Sequence, residues 1–109
     1  MQLKPIEGSS ARILQGGEAD GLIAECLAAY QGGSVEALYD LGVAFSTGSH
    51  GTRCDMIEAH KWFNIAASRG HAEAAWCRAD VSEEMTAREI AEAQRRAREW
   101  LAQGHRRAA

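Results

Sequence analysis

The chain contains few of the residues that interrupt helices or favour sheets. Its single proline is at position 5, so no proline breaks a helix in the rest of the 109 residues. β-Branched residues are also scarce, whereas alanine is abundant, and this balance favours helix over sheet. We therefore expect an all-α protein, and the length allows one domain at most.

Long apolar segments and paired cysteines are lacking as well. No apolar run approaches the roughly 18–20 residues that cross a bilayer, and positions 4–8 have no apolar segment of the kind found in a secretory signal. The cysteines Cys26, Cys54 and Cys77 are odd in number and have no paired spacing, which indicates reduced thiols rather than disulfides. These features predict a cytoplasmic protein without a membrane span.

Charge is unevenly distributed along the chain, whose net charge is −3. Residues 1–85 contain six Lys and Arg against twelve Asp and Glu, whereas residues 86–109 contain six Arg against three Glu. Glu92 precedes Arg95 and Arg96 by three and four residues, so part of the positive charge is paired within one helix. The arginines are not interleaved with exposed aromatic residues, and we therefore expect no nucleic-acid partner.

One segment of the chain is repeated after 37 residues. The stretch from Gly33 to Tyr39 resembles the stretch from Gly70 to Trp76, since each combines a glycine, a Glu-Ala pair three residues later and an apolar and aromatic run. A period of 20–50 residues is typical of solenoids, in which each unit buries its apolar face by stacking on its neighbours. The repeat therefore favours a binding surface over a catalytic centre.

Apolar residues at helical spacing predict five helices. The first begins near position 18 and ends at Gly32 and Gly33, and the second begins near Ser34, a good N-cap residue. Gly42 within the second helix should cost about 1 kcal/mol relative to alanine. We therefore expect that a large side chain of a neighbouring helix lies against its backbone.

The last three predicted helices have recognisable beginnings or apolar faces. Asp55 and Glu58 have the spacing of a capping box that opens the third helix, and Thr86 and Glu89 have the same spacing before the fifth. The fourth helix is predicted from about position 72 to 83, with Ala75, Trp76 and Ala79 on its apolar side. The fifth helix has the apolar stripe Ile90, Ala93, Ala97, Trp100 and Leu101, and Gly104 lies beyond its end.

These residues resemble the Sel-one-like repeat family, which is related to the tetratricopeptide repeats. The residues that match the family pattern are Leu41, Gly42, Phe45, Gly48, Gly51, Asp55, Ala59, Trp62, Phe63, Ala66, Ala67, Gly70 and Ala74. The chain departs from the pattern by one extra residue between the loop glycines and by Thr52 in place of valine. The run from Ile90 to Trp100 is similar to the closing helix of many bacterial members.

The resemblance implies a short right-handed α-α superhelix, or solenoid, of about five helices with a C-terminal capping helix. We expect a flexible N-terminal arm over residues 1–17, the repeat domain over 18–104 and a disordered basic tail over 105–109. The resemblance also implies protein–protein interaction, as an adaptor or regulatory scaffold, and no reaction. We therefore expect neither catalytic residues nor a cofactor or metal.

In such an architecture the first helix of each hairpin lines a groove that binds a partner. The residues predicted to face solvent in this groove are Glu36, Tyr39, Asp40 and Val43 on the second helix and Glu73 and Asp80 on the fourth. This groove would be acidic and would suit a basic or amphipathic segment. Trp76 or Trp100, if exposed, would serve as an anchor for a partner.

Two alternatives remain from the sequence. A chain with fewer than two full repeats leaves an apolar end face, which self-association into a homo-oligomer would cover. A small metal-binding or thiol enzyme could instead use His50 and Cys54, which lie four residues apart. Zinc sites, however, need a second pair of Cys or His ligands, and a thiol nucleophile needs a positioned base.

Overall fold

The computed structural model describes the backbone of residues 17–108 and the side chains of residues 20–104. Over these residues the chain is all-helical and contains no strand. The helices are α1 (Gly17–Gln31), α2 (Glu36–Thr47), α3 (Met56–Ser68), α4 (Ala72–Ser82) and α5 (Ala87–Ala108). Within the same range, no helix has the length and apolar character that would let it cross a membrane.

Helix α3 lies at the centre of the molecule. It packs against α2, α4 and α5, while α1 packs against α2. Six of its thirteen residues are buried, namely Ala59, His60, Trp62, Phe63, Ile65 and Ala66. Helix α2 adds the buried residues Ala37, Leu38, Leu41, Gly42 and Ala44. The core therefore lies mainly between α2 and α3 and is closed by the flanking helices.

The sequence repeat is also a repeat of backbone geometry. Helices α1 and α3 both end with a glycine of positive φ, Gly33 at 110° and Gly70 at 99°. In both cases the glycine N–H and the next N–H bond back to carbonyls of the last helical turn, the pattern of a Schellman motif. Ala37 and Ala74, four residues after each glycine, are both buried.

The close contact expected at Gly42 is confirmed. A Cβ atom at this position would lie only 2.5 Å from the Cδ1 and Cε1 atoms of the Phe63 ring. Glycine is therefore required for the ring of α3 to reach the backbone of α2. Trp62, the neighbour of Phe63, is only 3% exposed.

Two of the three predicted N-caps are confirmed. The Asp55 carboxylate accepts a hydrogen bond from the Glu58 N–H at 3.1 Å, and Thr86 and Glu89 exchange both bonds of a capping box at the start of α5. The prediction for Ser34 was wrong, because α2 begins at Glu36 without a side-chain cap. The Ser34 N–H instead donates to the Ala29 carbonyl and completes the end of α1.

The apolar side predicted for α4 was also wrong. Ala74 and Val81 are the buried residues of this helix, whereas Trp76 is 78% exposed. The reason lies in the position of α5, which packs along α3 and does not pack along α4. The predicted face of α4, with Ala75, Trp76 and Ala79, is therefore left without a covering helix.

Helix α5 turns the predicted stripe toward α3, with two of its residues buried and Ile90, Trp100 and Leu101 half-buried. Ala93 and Ala97 are buried, and the Trp100 ring packs edge-on against Trp62 with centroids 5.4 Å apart. Trp100 also contacts the ring of Tyr30 in α1, at 5.8 Å.

The termini differ in part from the predicted domain bounds. The helix continues to Ala108, four residues beyond Gly104, so the predicted tail over 105–109 overlaps its last turn. The predicted arm over residues 1–17 lies outside the described residues, apart from Gly17, which begins α1.

Candidate interaction surface on α2 and α4

The six residues predicted to bind a partner lie on α2 and α4, and Tyr39 is central among them. Its ring tilts against Phe63 at 5.7 Å and stacks on the His71 ring, with centroids 4.4 Å apart and planes 12° apart. The Tyr39 hydroxyl accepts a long hydrogen bond from the Cys77 thiol at 3.9 Å. One ring of α2 therefore contacts both the core and the beginning of α4.

His71 holds α4 against α2 through both of its ring nitrogens. Its Nδ1 atom caps α4 by accepting a hydrogen bond from the Ala74 N–H at 3.1 Å. Because Nδ1 accepts, the proton of the neutral ring is on Nε2, which donates to the Glu36 carboxylate at 2.8 Å. The imidazole is thus clamped between the Tyr39 ring and the Glu36 carboxylate.

The carboxylates around Tyr39 are close enough to influence one another. Partial burial, followed by the charge of Glu36, raises the pKa of Asp40. The hydrogen bond between the Tyr39 hydroxyl and Cys77, followed by burial, raises the pKa of Tyr39, and the charges of Glu73 and Glu36 add to this shift. Glu36 and Asp40 lie within one turn of Tyr39 in α2, and Glu73 lies in the first turn of α4, whose cap residue His71 stacks on the Tyr39 ring. These three exposed carboxylates therefore form one acidic patch near Tyr39.

The remaining predicted residues are arranged less tightly. Asp80 is exposed two turns along α4 from Glu73, and among residues 20–104 no side-chain hydrogen bond or ion pair connects it to α2. Val43 is half-buried, and so is Tyr39, because both pack against the core. These two residues therefore face solvent only in part. Together, Glu36, Tyr39, Asp40, Val43, Glu73 and Asp80 form what we call the α2–α4 surface.

The residues of the repeat signature have structural positions rather than exposed ones. Leu41, Gly42, Ala59, Trp62, Phe63, Ala66 and Ala74 are buried, and Phe45 and Ala67 are half-buried. Asp55 caps α3, while Gly48, Gly51 and Gly70 have positive φ. The signature therefore builds the core and the turns, and the α2–α4 surface lies outside it.

The loop between α2 and α3 is held by a residue whose role the sequence did not reveal. Thr52 is 7% exposed, and its hydroxyl lies 2.8 Å from the Ala44 carbonyl and 2.7 Å from that of Ser49. The buried hydroxyl is thus satisfied by the backbone it closes. Threonine at this position is therefore compatible with a tight loop, although the family pattern has valine there.

His50 and Cys54 lie in this same loop and are both exposed. The Cys54 thiol donates to the Ser46 carbonyl at 3.5 Å, and His50 has a positive φ of 58°. His50 also lines an open depression of about 330 Å³ together with Gly21, Leu22 and Glu25. Within the described part of the chain, no three His, Cys, Asp or Glu side chains are grouped as metal ligands would be.

Two histidines have positions that the sequence did not indicate. His60 is only 2% exposed, and among the described residues its Nδ1 atom has no hydrogen-bond partner. Burial, and next the charge of Arg78, lower the pKa of His60. His71 directly follows Gly70 as Ser34 follows Gly33, but only His71 caps its helix, so the repeat pattern alone does not indicate this role.

No protein-family model matches the chain, and neither a curated protein nor a solved structure matches it. What supports a function is therefore the arrangement of the chain's own residues.

Proposed function

We propose that the chain is a protein–protein interaction module, an adaptor or regulatory scaffold of the Sel-one-like repeat kind, rather than an enzyme. In this proposal the helices form a short right-handed superhelix in which α2 and α4 are the first helices of successive units. The observation that carries the proposal is the acidic patch around Tyr39, to which both helices contribute.

The chemistry of the α2–α4 surface favours a basic or amphipathic partner segment. Glu36, Asp40, Glu73 and Asp80 are exposed carboxylates, and Tyr39 and Val43 provide apolar area between them. Carboxylates raise the association rate of a cationic partner, and the buried part of the surface supplies the apolar contact. We place this interaction in the cytoplasm, in keeping with the reduced cysteines.

The proposal is tested by reversing charge on the surface. In the variant Asp40→Lys with Asp80→Lys we expect about fivefold to tenfold weaker binding of the native partner at low salt, because two attractive charges become repulsive. The partner is first identified by affinity purification from the native organism with mass spectrometry, and its dissociation constant is then measured with purified proteins. The difference should shrink at high salt, since exposed charges are screened.

The matched control is Asp20→Lys with Glu25→Lys. It makes the same change in net charge at exposed residues of α1, outside the α2–α4 surface. Equal weakening in both variants would mean that only net charge matters. Unchanged binding in the Asp40 and Asp80 variant would reject the α2–α4 surface as the binding site.

A further inference from the structure

The pair formed by Glu36 and Tyr39 recurs at Glu73 and Trp76. In each pair the carboxylate precedes the aromatic residue by three positions and follows a positive-φ glycine by three, Gly33 in one case and Gly70 in the other. Both pairs lie in the first turns of their helices, α2 and α4. Side chains three residues apart on a helix are neighbours, so the two pairs present similar groups.

The first pair is occupied within the chain. His71 stacks on the Tyr39 ring at 4.4 Å, donates from Nε2 to Glu36 at 2.8 Å and caps α4 through Nδ1. The pair therefore contacts two groups of its ligand, a flat ring and an N–H group, while the other ring nitrogen of the same histidine caps the helix that carries it.

The second pair is open. Trp76 is 78% exposed, and among the described residues Glu73 has no side-chain hydrogen bond or ion pair. The position 37 residues after His71 belongs to α5, which packs along α3 and not along α4. No described residue of the chain therefore takes the place at Glu73 and Trp76 that His71 takes at Glu36 and Tyr39.

We propose that Glu73 and Trp76 form a clamp for a histidine that caps the N-terminus of a partner helix. The histidine would stack on the Trp76 indole and donate from Nε2 to Glu73, as His71 does at the first pair. Ala72 and Ala79 flank Trp76 on α4 and are exposed, so a helix backbone can approach closely.

A second copy of the chain does not offer this ligand among its described histidines. His71 is engaged by Tyr39 and Glu36, His60 is buried, and His50 lies in a loop rather than at the start of a helix. The fourth histidine, His105, lies in the last turn of α5 and not at the start of a helix. The ligand that we assign is therefore a helix of a different protein.

The clamp is tested with a probe that copies the ligand of the first pair. The probe is an unlabelled peptide with the sequence of residues 68–84, held helical by a side-chain bridge and checked by circular dichroism. It is titrated into the full-length chain labelled with nitrogen-15, and the indole N–H signal of Trp76 is followed. We expect a saturable shift, and about tenfold weaker binding by a peptide with His71→Ala, because stacking, cap and hydrogen bond are lost together.

Variants of the labelled chain separate the clamp from unspecific contact. Binding to the variants is measured by isothermal titration calorimetry, because Trp76→Ala removes the indole signal together with the exposed side chain. Trp76→Ala should abolish binding without changing the thermal midpoint, and Glu73→Gln should weaken binding several-fold. Glu25→Gln makes the same charge change at an exposed site of α1 and should have no effect. The clamp is rejected if the helical probe produces no saturable shift, or if the His71→Ala peptide binds equally well.

This inference rests on the proposed function, but the two can fail separately. If Asp40→Lys with Asp80→Lys weakens partner binding and Trp76→Ala does not, the α2–α4 surface stands and the clamp falls. A concentration series by light scattering adds one more outcome. A dimer that Trp76→Ala dissociates would place a second copy on this face and overturn the assignment to a different protein.

Discussion

Phe63 lies so close to Gly42 that its ring occupies the space where a side chain would begin. Three ring atoms would be within 2.9 Å of a Cβ atom there, nearer than such atoms approach in real structures. Because both residues are buried, the ring cannot swing into solvent to make room. The glycine in the middle of α2 is thus explained by packing, in spite of its unfavourable helix propensity.

We predict that Gly42→Ala destabilises the protein. Overpacking a core costs about 1–3 kcal/mol, and the better helix propensity of alanine returns at most about 1 kcal/mol. The free energy of unfolding, measured with urea, should therefore fall by about 1–2 kcal/mol.

The matched control for this prediction is Gly21→Ala in α1. Nothing lies within 4 Å of a Cβ atom at that helical position. The substitution should therefore stabilise the protein by about 0.5–1 kcal/mol, because alanine loses less backbone entropy on folding than glycine. An equal gain in stability from Gly42→Ala would contradict the packing argument.

Among the elements, the helix termini show how far local sequence controls structure. Asp55 accepts a hydrogen bond from the first turn of α3, as its spacing to Glu58 predicted. Ser34 is an equally favourable cap residue, yet α2 begins two residues later without a side-chain cap. Ser34 belongs to the short connection between α1 and α2, where its N–H closes the end of α1 after Gly33. Its side chain therefore does not cap α2.

We therefore predict different effects of alanine at these two positions. Asp55→Ala should lower the free energy of unfolding by about 1 kcal/mol, the usual cost of losing a cap. Ser34→Ala should change it by less than about 0.5 kcal/mol, as is common for residues outside such a role. Thermal and urea unfolding of the two variants test this difference. A comparable loss of stability in both variants would show that Ser34 does cap α2.

At the scale of the whole molecule, α3 is the element on which the others assemble. Helix α5 is joined to it by the Trp100–Trp62 contact and by Arg96, which donates to Glu58 at 2.7 Å. Arg96 is itself held by Glu92, and hydrogen bonds from Arg95 and Arg96 lower the pKa of Glu92 to about 2. Because α5 is attached to α3 in this way, the outer face of α4 stays open.

The burial of His60 in α3 predicts acid sensitivity of the whole fold. Its pKa is lowered in the folded state, so between that value and the unfolded value near 6.5 the unfolded chain binds more protons. The stability contribution of the neutral ring is complete above about pH 6.5 and is lost as the pH falls toward the folded pKa. We expect a urea midpoint that decreases from pH 7 to 5, and a smaller decrease in His60→Leu.

The control for this prediction is Phe63→Leu, which disturbs the same helix without removing a titratable group. This variant should be less stable at every pH but should lose as much between pH 7 and 5 as the unmodified chain. If His60→Leu lost as much as Phe63→Leu over this range, the acid sensitivity would have to come from other groups.

Much of the fold was predictable from local patterns, and the exceptions have a common cause. The five helices, the glycine ends at Gly33 and Gly70, and the contact at Gly42 were all anticipated. The exposure of Trp76 and the burial of His60 were not, because each depends on which helices lie against the residue. Periodicity identifies an apolar stripe but does not say whether a neighbour covers it.

The candidate site was predictable in composition but not in geometry. Its carboxylates were identified as a group because they share one face of two helices. The stacking of Tyr39 on His71 joins residues that are 32 positions apart, and no local pattern indicates such a contact. Whether the six residues bind a partner remains a prediction.

Turns, caps and helix lengths in this protein follow from the residues at each position, since they depend on backbone conformation and hydrogen bonds within a few residues. Which face of each helix is buried follows only from the tertiary structure, because burial depends on contacts between distant parts of the chain. Helix α5 packs along α3 rather than along α4. Its packing on α3 buried Ala97 and left Trp76 and Glu73 facing outward.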